Sequence, residues 1–257
     1  MRIISRKVIG IVAVFVSHGM MANAQFNLPQ HELGITAGMF VYLGDLTPER
    51  YGAFKSPGIA VNLFYNRIIS PSFSLRTNLA IGRTSTDETN YDHPAYRQQR
   101  AFRFKARITE LSELLVWNVL GNNYGERSRF SPYIFAGPGI SFLNIRRDWS
   151  LFNPEAFATD TVMLAGLNED TLHKLPRTAF VLPVGLGFRY NISSRLAITA
   201  EASYRVMSTD YLDGFSKSAN PDKNDNYSNY AIGVIYTLGA AGRGGGNGSI
   251  KCPVIRN

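Results

Sequence analysis

The chain has a single cysteine, Cys252, and two tryptophans, and only 18% of its residues are charged. A lone cysteine cannot staple the chain to itself, so the fold has to hold by backbone pairing and burial. Long apolar runs are also missing. A helical multi-pass protein needs repeated stretches of about 18 apolar residues and a strongly positive hydropathy, whereas the mean hydropathy here is -0.09. Catalytic signatures are scarce as well: no G-x-S-x-G, H-E-x-x-H or paired-cysteine motif occurs. Beyond residue 24 the only histidines are His31, His93 and His173, with no ordered Ser or Asp spacing around them, so no enzyme is expected. What the chain does have is 13 Tyr, 16 Phe and 45% hydrophobic residues. That excludes a disordered coil and favours an all-β fold, where aromatic and β-branched side chains suit a pleated surface.

Residues 1–24 read as a secretory signal peptide. Arg2, Arg6 and Lys7 form a basic start, Val8 to Val16 an apolar core, and Ala22-Asn23-Ala24 a small-residue cleavage site. Removing it lowers the formal charge of +8, and the remaining basic residues form no continuous patch, so nucleic acid is not an expected partner.

Period-two alternation dominates the rest, placing successive side chains on opposite faces of strands. Phe73, Leu75, Thr77, Leu79 and Ile81 oppose Ser74, Arg76, Asn78, Ala80 and Gly82; Phe180 to Tyr190, Leu196 to Val206 and Tyr230 to Leu238 repeat the pattern. Leu33 to Leu43, Ile59 to Asn66 and Phe130 to Leu143 fit it, although Pro138 removes one ladder donor. Phe102 to Leu120 loses phase near Glu110 to Glu113, which suggests a β-bulge.

These eight segments are joined by connections that alternate long and short, as in outer-membrane barrels with long external loops and short periplasmic turns. A soluble β-sandwich would carry Lys, Glu and Asp on its second face. Here that face carries mainly Gly, Ala, Ser, Thr and Asn, which suit a narrow lumen. The expected fold is an all-β, eight-stranded antiparallel outer-membrane β-barrel over residues 25–238, with both termini periplasmic. It would contact outer-membrane lipids and lipopolysaccharide.

Two groups of residues stand out. Arg76, Glu110, Arg189, Glu201 and Arg205 fall on the lumen face. An unpaired buried charge costs several kcal/mol, so a network that plugs the barrel is favoured over a gated pore. The expected arrangement sets Arg189 and Arg205 beside Glu201. Residues 239–257 form a Gly-rich periplasmic tail ending in an apolar, basic tip, Ile250, Lys251, Cys252, Pro253, Val254 and Ile255. A flexible reach of about 20 Å lets this tip contact a partner, and Cys252 could join it by an intermolecular disulfide. Composition alone leaves a tail without a partner as the alternative.

Several motifs resemble a known family. Glu32-Leu33-Gly34 with Tyr42-Leu43-Gly44-Asp45-Leu46, Ser131-Pro132-Tyr133-Ile134-Phe135-Ala136-Gly137-Pro138-Gly139, and Ser208-Thr209-Asp210-Tyr211-Leu212-Asp213 look like the PorG family. Its members are outer-membrane barrels of the Bacteroidetes type IX secretion system. The resemblance implies a non-enzymatic part of a protein-export machine that anchors a periplasmic ring of the lipoprotein PorK and of PorN. A small barrel with an adhesion or membrane-stabilising role is the other reading. Neither needs a cofactor.

Overall fold

The computed structural model describes residues 31–121, 123, 129–220 and 224–238. The expected signal peptide, the tail and the tip from Ile250 to Ile255 lie outside the described residues. Nine strands form one antiparallel sheet. They are β1 (His31–Leu43), β2 (Gly58–Ile68), β3 (Phe73–Asp87), β4 (Arg103–Asn118), β5 (Phe130–Ala136), β6 (Gly139–Asp148), β7 (Thr178–Asn191), β8 (Leu196–Met207) and β9 (Asn226–Leu238).

Each strand follows its neighbour around the sheet, and β9 pairs with β1, so the sheet closes on itself and no edge remains to recruit another chain. β5 and β6 share one position in the ring, since both pair with β4 on one side and β7 on the other. The single strand expected over Phe130 to Leu143 is therefore split at Gly137 and Pro138. Proline has no N–H to donate. The ladder nonetheless bridges the break: Glu113 N–H donates to the Pro138 carbonyl at 3.0 Å and Gly137 N–H to the Pro183 carbonyl at 3.2 Å. Eight positions around the ring result.

One circuit of cross-strand partners runs His31, Arg67, Leu75, Leu115, Ala136, Val184, Tyr204, Ser228 and returns to β1 at Val41, not His31. This stagger is what tilted strands in a closed barrel require.

The outer wall is apolar to a degree that water does not favour. Ile232 is 69% exposed and Phe180 72%, and Leu33, Ile35, Leu63, Leu115, Leu186 and Val234 share this wall. Aromatic residues gather at the end carrying the short turns: Tyr65, Phe73, Trp117, Phe130, Phe188, Tyr190 and Tyr236. An apolar band with an aromatic girdle on a closed antiparallel sheet is the architecture of an outer-membrane β-barrel. Among the described residues no helix is long and apolar enough to cross a membrane.

The expected bulge in β4 is absent. Its pairs with β3 run unbroken from Phe73 and Trp117 to Asp87 and Arg103, and burial alternates along the whole strand. What changes is the chemistry of the two faces. Leu111, Leu115 and Trp117 face outward beside the apolar band, with Glu110 and Ser112 inside; further up, Lys105 and Arg107 face outward while Phe104, Ala106 and Ile108 are buried. The strand leaves the band and its apolar face turns to a core inside the barrel mouth, so the sequence pattern inverts without any backbone irregularity.

That core fills the end where the long connections lie. Phe40, Tyr42 and Phe104 from the strands meet Leu46, Phe102, Met163, Leu167, Leu212 and Phe215 from the loops. The third long connection carries a helix, α2, at Thr161–Leu172, capped by Asp160, whose carboxylate accepts from Met163 N–H at 3.0 Å. A shorter helix, α1 (Tyr96–Arg100), sits in the second.

Candidate functional site

Two regions hold the chain's buried chemistry: the lumen and the cap over the loop end. The five lumen residues read from the sequence all project inward, but their pairing differs from the expected one. Glu201 pairs with Arg76 at 2.6 Å, Arg189 with Glu32 at 2.8 Å, and Arg205 with Glu110 at 3.2 Å. Glu201 is thus partnered by Arg76, on the far side of the lumen, and not by Arg189 or Arg205. Pairing across the barrel depends on strand stagger, which alternation cannot supply.

Arg76 lies at the centre. Its guanidinium is 2% exposed, stacks 4.1 Å from the Phe64 ring, and faces Tyr133 and Phe135 at 5.3 and 5.4 Å. Its Nε donates to Asn66 at 2.8 Å, and Asn66 donates to Glu32 at 3.1 Å, joining the first two ion pairs into one network. Tyr133 donates to Glu201 at 2.5 Å. Glycine makes room for these rings: a Cβ on Gly34 would lie 2.1 Å from the Phe64 ring, and one on Gly187 2.4 Å from Tyr133. Higher up, Tyr227 donates to Glu110 at 2.7 Å and Arg205 donates to Ser203. The lumen is a paired, ring-packed interior of the kind an eight-stranded barrel is just wide enough to fill.

The cap ties the four long connections together. Glu88 is fully buried and accepts from Arg97 at 2.7 Å, from Arg100 at 2.9 and 2.5 Å, and from Phe102 N–H at 3.2 Å. The same arginines reach the other loops, Arg97 to the Asp45 carbonyl at 3.0 Å and Arg100 to the Ser218 carbonyl at 3.3 Å. Asp170, near the C-terminal end of α2, accepts backbone N–H groups of Ser216, Lys217 and Ser218 at 3.2, 3.1 and 2.8 Å. Phe102 stacks on Phe215 at 4.2 Å.

Tyr42 closes the set. Its hydroxyl lies 2.6 Å from Asp213 and 2.7 Å from Asp225. A phenol has one proton to donate, so the two carboxyls share a single donor there. Burial and the Asp225 charge hold Asp213 well above the ordinary carboxylate range, and burial does the same for Asp225.

A family model described as a domain of unknown function, DUF6089, matches residues 6–238. The chain belongs to this family. No curated protein matches it by sequence. Among solved structures the DUF6089 chain is similar to the attachment invasion locus protein Ail of Yersinia pestis, at 14% identity and a TM-score of 0.44, over 82% of this chain and 99% of Ail. It is also similar to the Neisserial surface protein NspA, at 13% identity and TM-score 0.45 over 81% and 97% of the two chains. OprG, an outer membrane protein of Pseudomonas aeruginosa, matches at 12% identity and TM-score 0.41 over 82% and 98%.

Sequence reasoning over this DUF6089 chain missed Glu32, Phe64 and the whole cap. The cap had a signal, however: two of the motifs that carry the resemblance, Tyr42 to Leu46 and Ser208 to Asp213, meet in it, through Tyr42 with Asp213 and through Leu46 with Leu212 in one apolar cluster. Among the described residues no group of three or more His, Cys, Asp or Glu could hold a metal ion.

The acids of the cap make its stability pH-dependent. Loss of solvent, with Asp45 and Asp170 adding to it, pushes Asp210 up to about 6, against about 4 for an ordinary aspartate. Asp213 and Asp225 are raised too. The folded cap therefore binds more protons than the open chain between those values, and its stability falls as pH rises from about 4 through about 6 and beyond. Hydrogen exchange of residues 208–220 should be slower at acidic than at alkaline pH once corrected for intrinsic rates, and Asp213→Asn should flatten the dependence.

Proposed function

We propose that this chain is a non-enzymatic outer-membrane barrel that anchors a periplasmic assembly, as the type IX secretion barrel of the PorG family does. The observation that carries the reading is the closed interior: three arginines each paired with a glutamate in the lumen and four loops locked over it. A barrel so filled works through its surfaces and its tail. The meeting of the Tyr42–Leu46 and Thr209–Asp213 motifs in one cap supports the family resemblance, because both belong to a single structural unit.

In this reading the short turns and both termini face the periplasm, and residues 239–257 reach the ring formed by PorK and PorN. Cys252 forms an intermolecular disulfide with that partner, or the tip from Ile250 to Ile255 docks on it non-covalently. Affinity capture of the full chain should recover PorK and PorN, and deletion of residues 239–257 should lose them while leaving a folded barrel. Capture of both proteins by the truncated chain would overturn the tail's role. A barrel that recovers neither at full length, yet supports cell attachment or envelope integrity, would favour the adhesion or membrane-stabilising reading.

Orientation has its own test. Asp92 lies exposed in the second long connection, so Asp92→Cys in a Cys252→Ser background should react with an impermeant thiol reagent on intact cells. Labelling only after the outer membrane is breached would reverse the topology.

A further inference from the structure

The outer wall above the apolar band carries a cluster of cations that the lumen and the cap leave unused. Across β3, β4 and β6 the outward residues form rows. Leu79, Leu111 and Ile140 make one row; Ile81, Thr109 and Phe142 make the next. The two rows above change character at once: Arg83 lies opposite Arg107, and Lys105 lies opposite Arg146. All four side chains are exposed. The topmost row is balanced, Arg103 standing between Asp87 and Asp148 and pairing with Asp148 at 2.7 Å.

Like charges directly opposite on a sheet face, their Cβ atoms about 5 Å apart, repel and destabilise it. Here two such pairs are stacked, and among the described residues none of the four side chains makes an ion pair or a hydrogen bond. The lower cationic row begins about 7 Å, one step of two residues along the strand, beyond Ile81 and Phe142. Arg83 stands ten residues up β3 from Phe73 in the aromatic girdle, a height of about 25 Å on a tilted strand, which matches the apolar band of an outer-membrane barrel and puts the cations at its headgroup edge.

We propose that Arg83, Lys105, Arg107 and Arg146 form a docking site for the phosphates of a lipid headgroup in the outer leaflet, the phosphorylated glucosamines of lipopolysaccharide. A lipid is selected over a free anion because the site is continuous with the apolar wall. Acyl chains lie along Leu79, Leu111 and Phe142 while the phosphates meet the two cationic rows. The phosphates neutralise the repulsion between facing cations, so lipid bound here also stiffens the upper wall under the cap. The proposal rests on reading the loop end as the outer-leaflet end. Reversed orientation would show separately, in the Asp92→Cys labelling, and leaves the lipid selectivity of the purified protein intact.

The test uses the full chain in phosphatidylcholine nanodiscs with diphosphoryl lipid A as the probe, and bound lipid counted by native mass spectrometry. Wild type should retain diphosphoryl lipid A and bind its dephosphorylated form about tenfold or more weakly, since each basic residue at a lipid surface contributes on the order of a kcal/mol. The variant Arg83→Gln/Lys105→Gln/Arg107→Gln/Arg146→Gln should lose that preference. Arg129→Gln/Arg195→Gln, which removes two exposed cations beyond the other end of the strands, should keep it. Should the quadruple variant fail to fold, Arg83→Gln/Arg107→Gln removes one facing pair, and the comparison of the two lipids on wild type stands alone. Equal binding of phosphorylated and dephosphorylated lipid would overturn the proposal, as would displacement of the lipid by millimolar inorganic phosphate or unchanged preference in the folded variants.

Discussion

Replacing Arg76 by methionine should lower the stability of the barrel by roughly 3–5 kcal/mol, because it strips a buried carboxylate of its partner. Glu201 accepts from Arg76 at 2.6 Å inside a lumen where both side chains are almost fully buried. Without the guanidinium, Glu201 keeps the Tyr133 hydroxyl but no compensating charge, and Asn66 loses the donor that ties it to Arg76. Methionine roughly keeps the length of the stem and its contact with the Phe64 ring, so the loss reports charge more than volume. The paired change Arg76→Met/Glu201→Gln should recover much of it, since a neutral pair needs no ionic partner. Urea unfolding of the refolded barrel in lipid gives both numbers. Planar-bilayer recordings of wild type should meanwhile show no ion conductance through the filled lumen. An Arg76→Met barrel within about 1 kcal/mol of wild type would mean that the ring packing, not the ion pair, holds the interior.

The wall and the lumen differ in how much of them could be read from the chain. Alternation such as Phe180 to Tyr190 states which side chains share a face, and its repetition was enough for an eight-position barrel. Facing and partnering are separate facts. Arg76 and Glu201 come from strands on opposite sides of the ring, and only the stagger that carries His31 to Val41 in one circuit decides who meets whom. Glu32 stands beside Leu33 and Gly34 in the first strand, yet its role as the Arg189 partner follows from the closure of β1 on β9.

The misread stretch of β4 has a different cause. Period-two patterns assume a constant environment along the strand, and β4 passes from hydrocarbon depth to a polar rim whose inside is a core. Glu110 and Ile108 sit on the same inward face with opposite polarity for that reason. The cap lay beyond any local rule. Glu88, Arg97 and Arg100 come from one connection, but the groups they hold, the carbonyls of Asp45 and Ser218, belong to two others. Nothing local marks contacts between loops that only barrel closure brings together.

The largest effect on the cap should come from Glu88→Ala. This carboxylate is fully buried and is the shared acceptor of two guanidiniums that are themselves 8% exposed. Its loss leaves two buried cations and the Phe102 N–H without their acceptor, and breaking one partner out of a buried pair costs roughly 3–5 kcal/mol. The strands should survive, because their ladders run around the whole ring without using residues 88–102. The cap should not. Arg97 and Arg100 would swing out and become sites for trypsin, and hydrogen exchange should rise in residues 88–102 and in residues 214–220, the loop that Arg100 and Asp170 hold. Asp148→Asn provides the contrast: its bridge to Arg103 is solvent-exposed, and such pairs contribute about 0–1 kcal/mol. Glu88→Gln separates charge from shape, since an amide oxygen can still accept from Phe102 N–H while its NH2 faces the guanidiniums as a donor. If Glu88→Ala and Glu88→Gln both leave the cap as resistant to trypsin as wild type, the stacked rings of Phe102 and Phe215 hold the loops, and the buried ion cluster is dispensable.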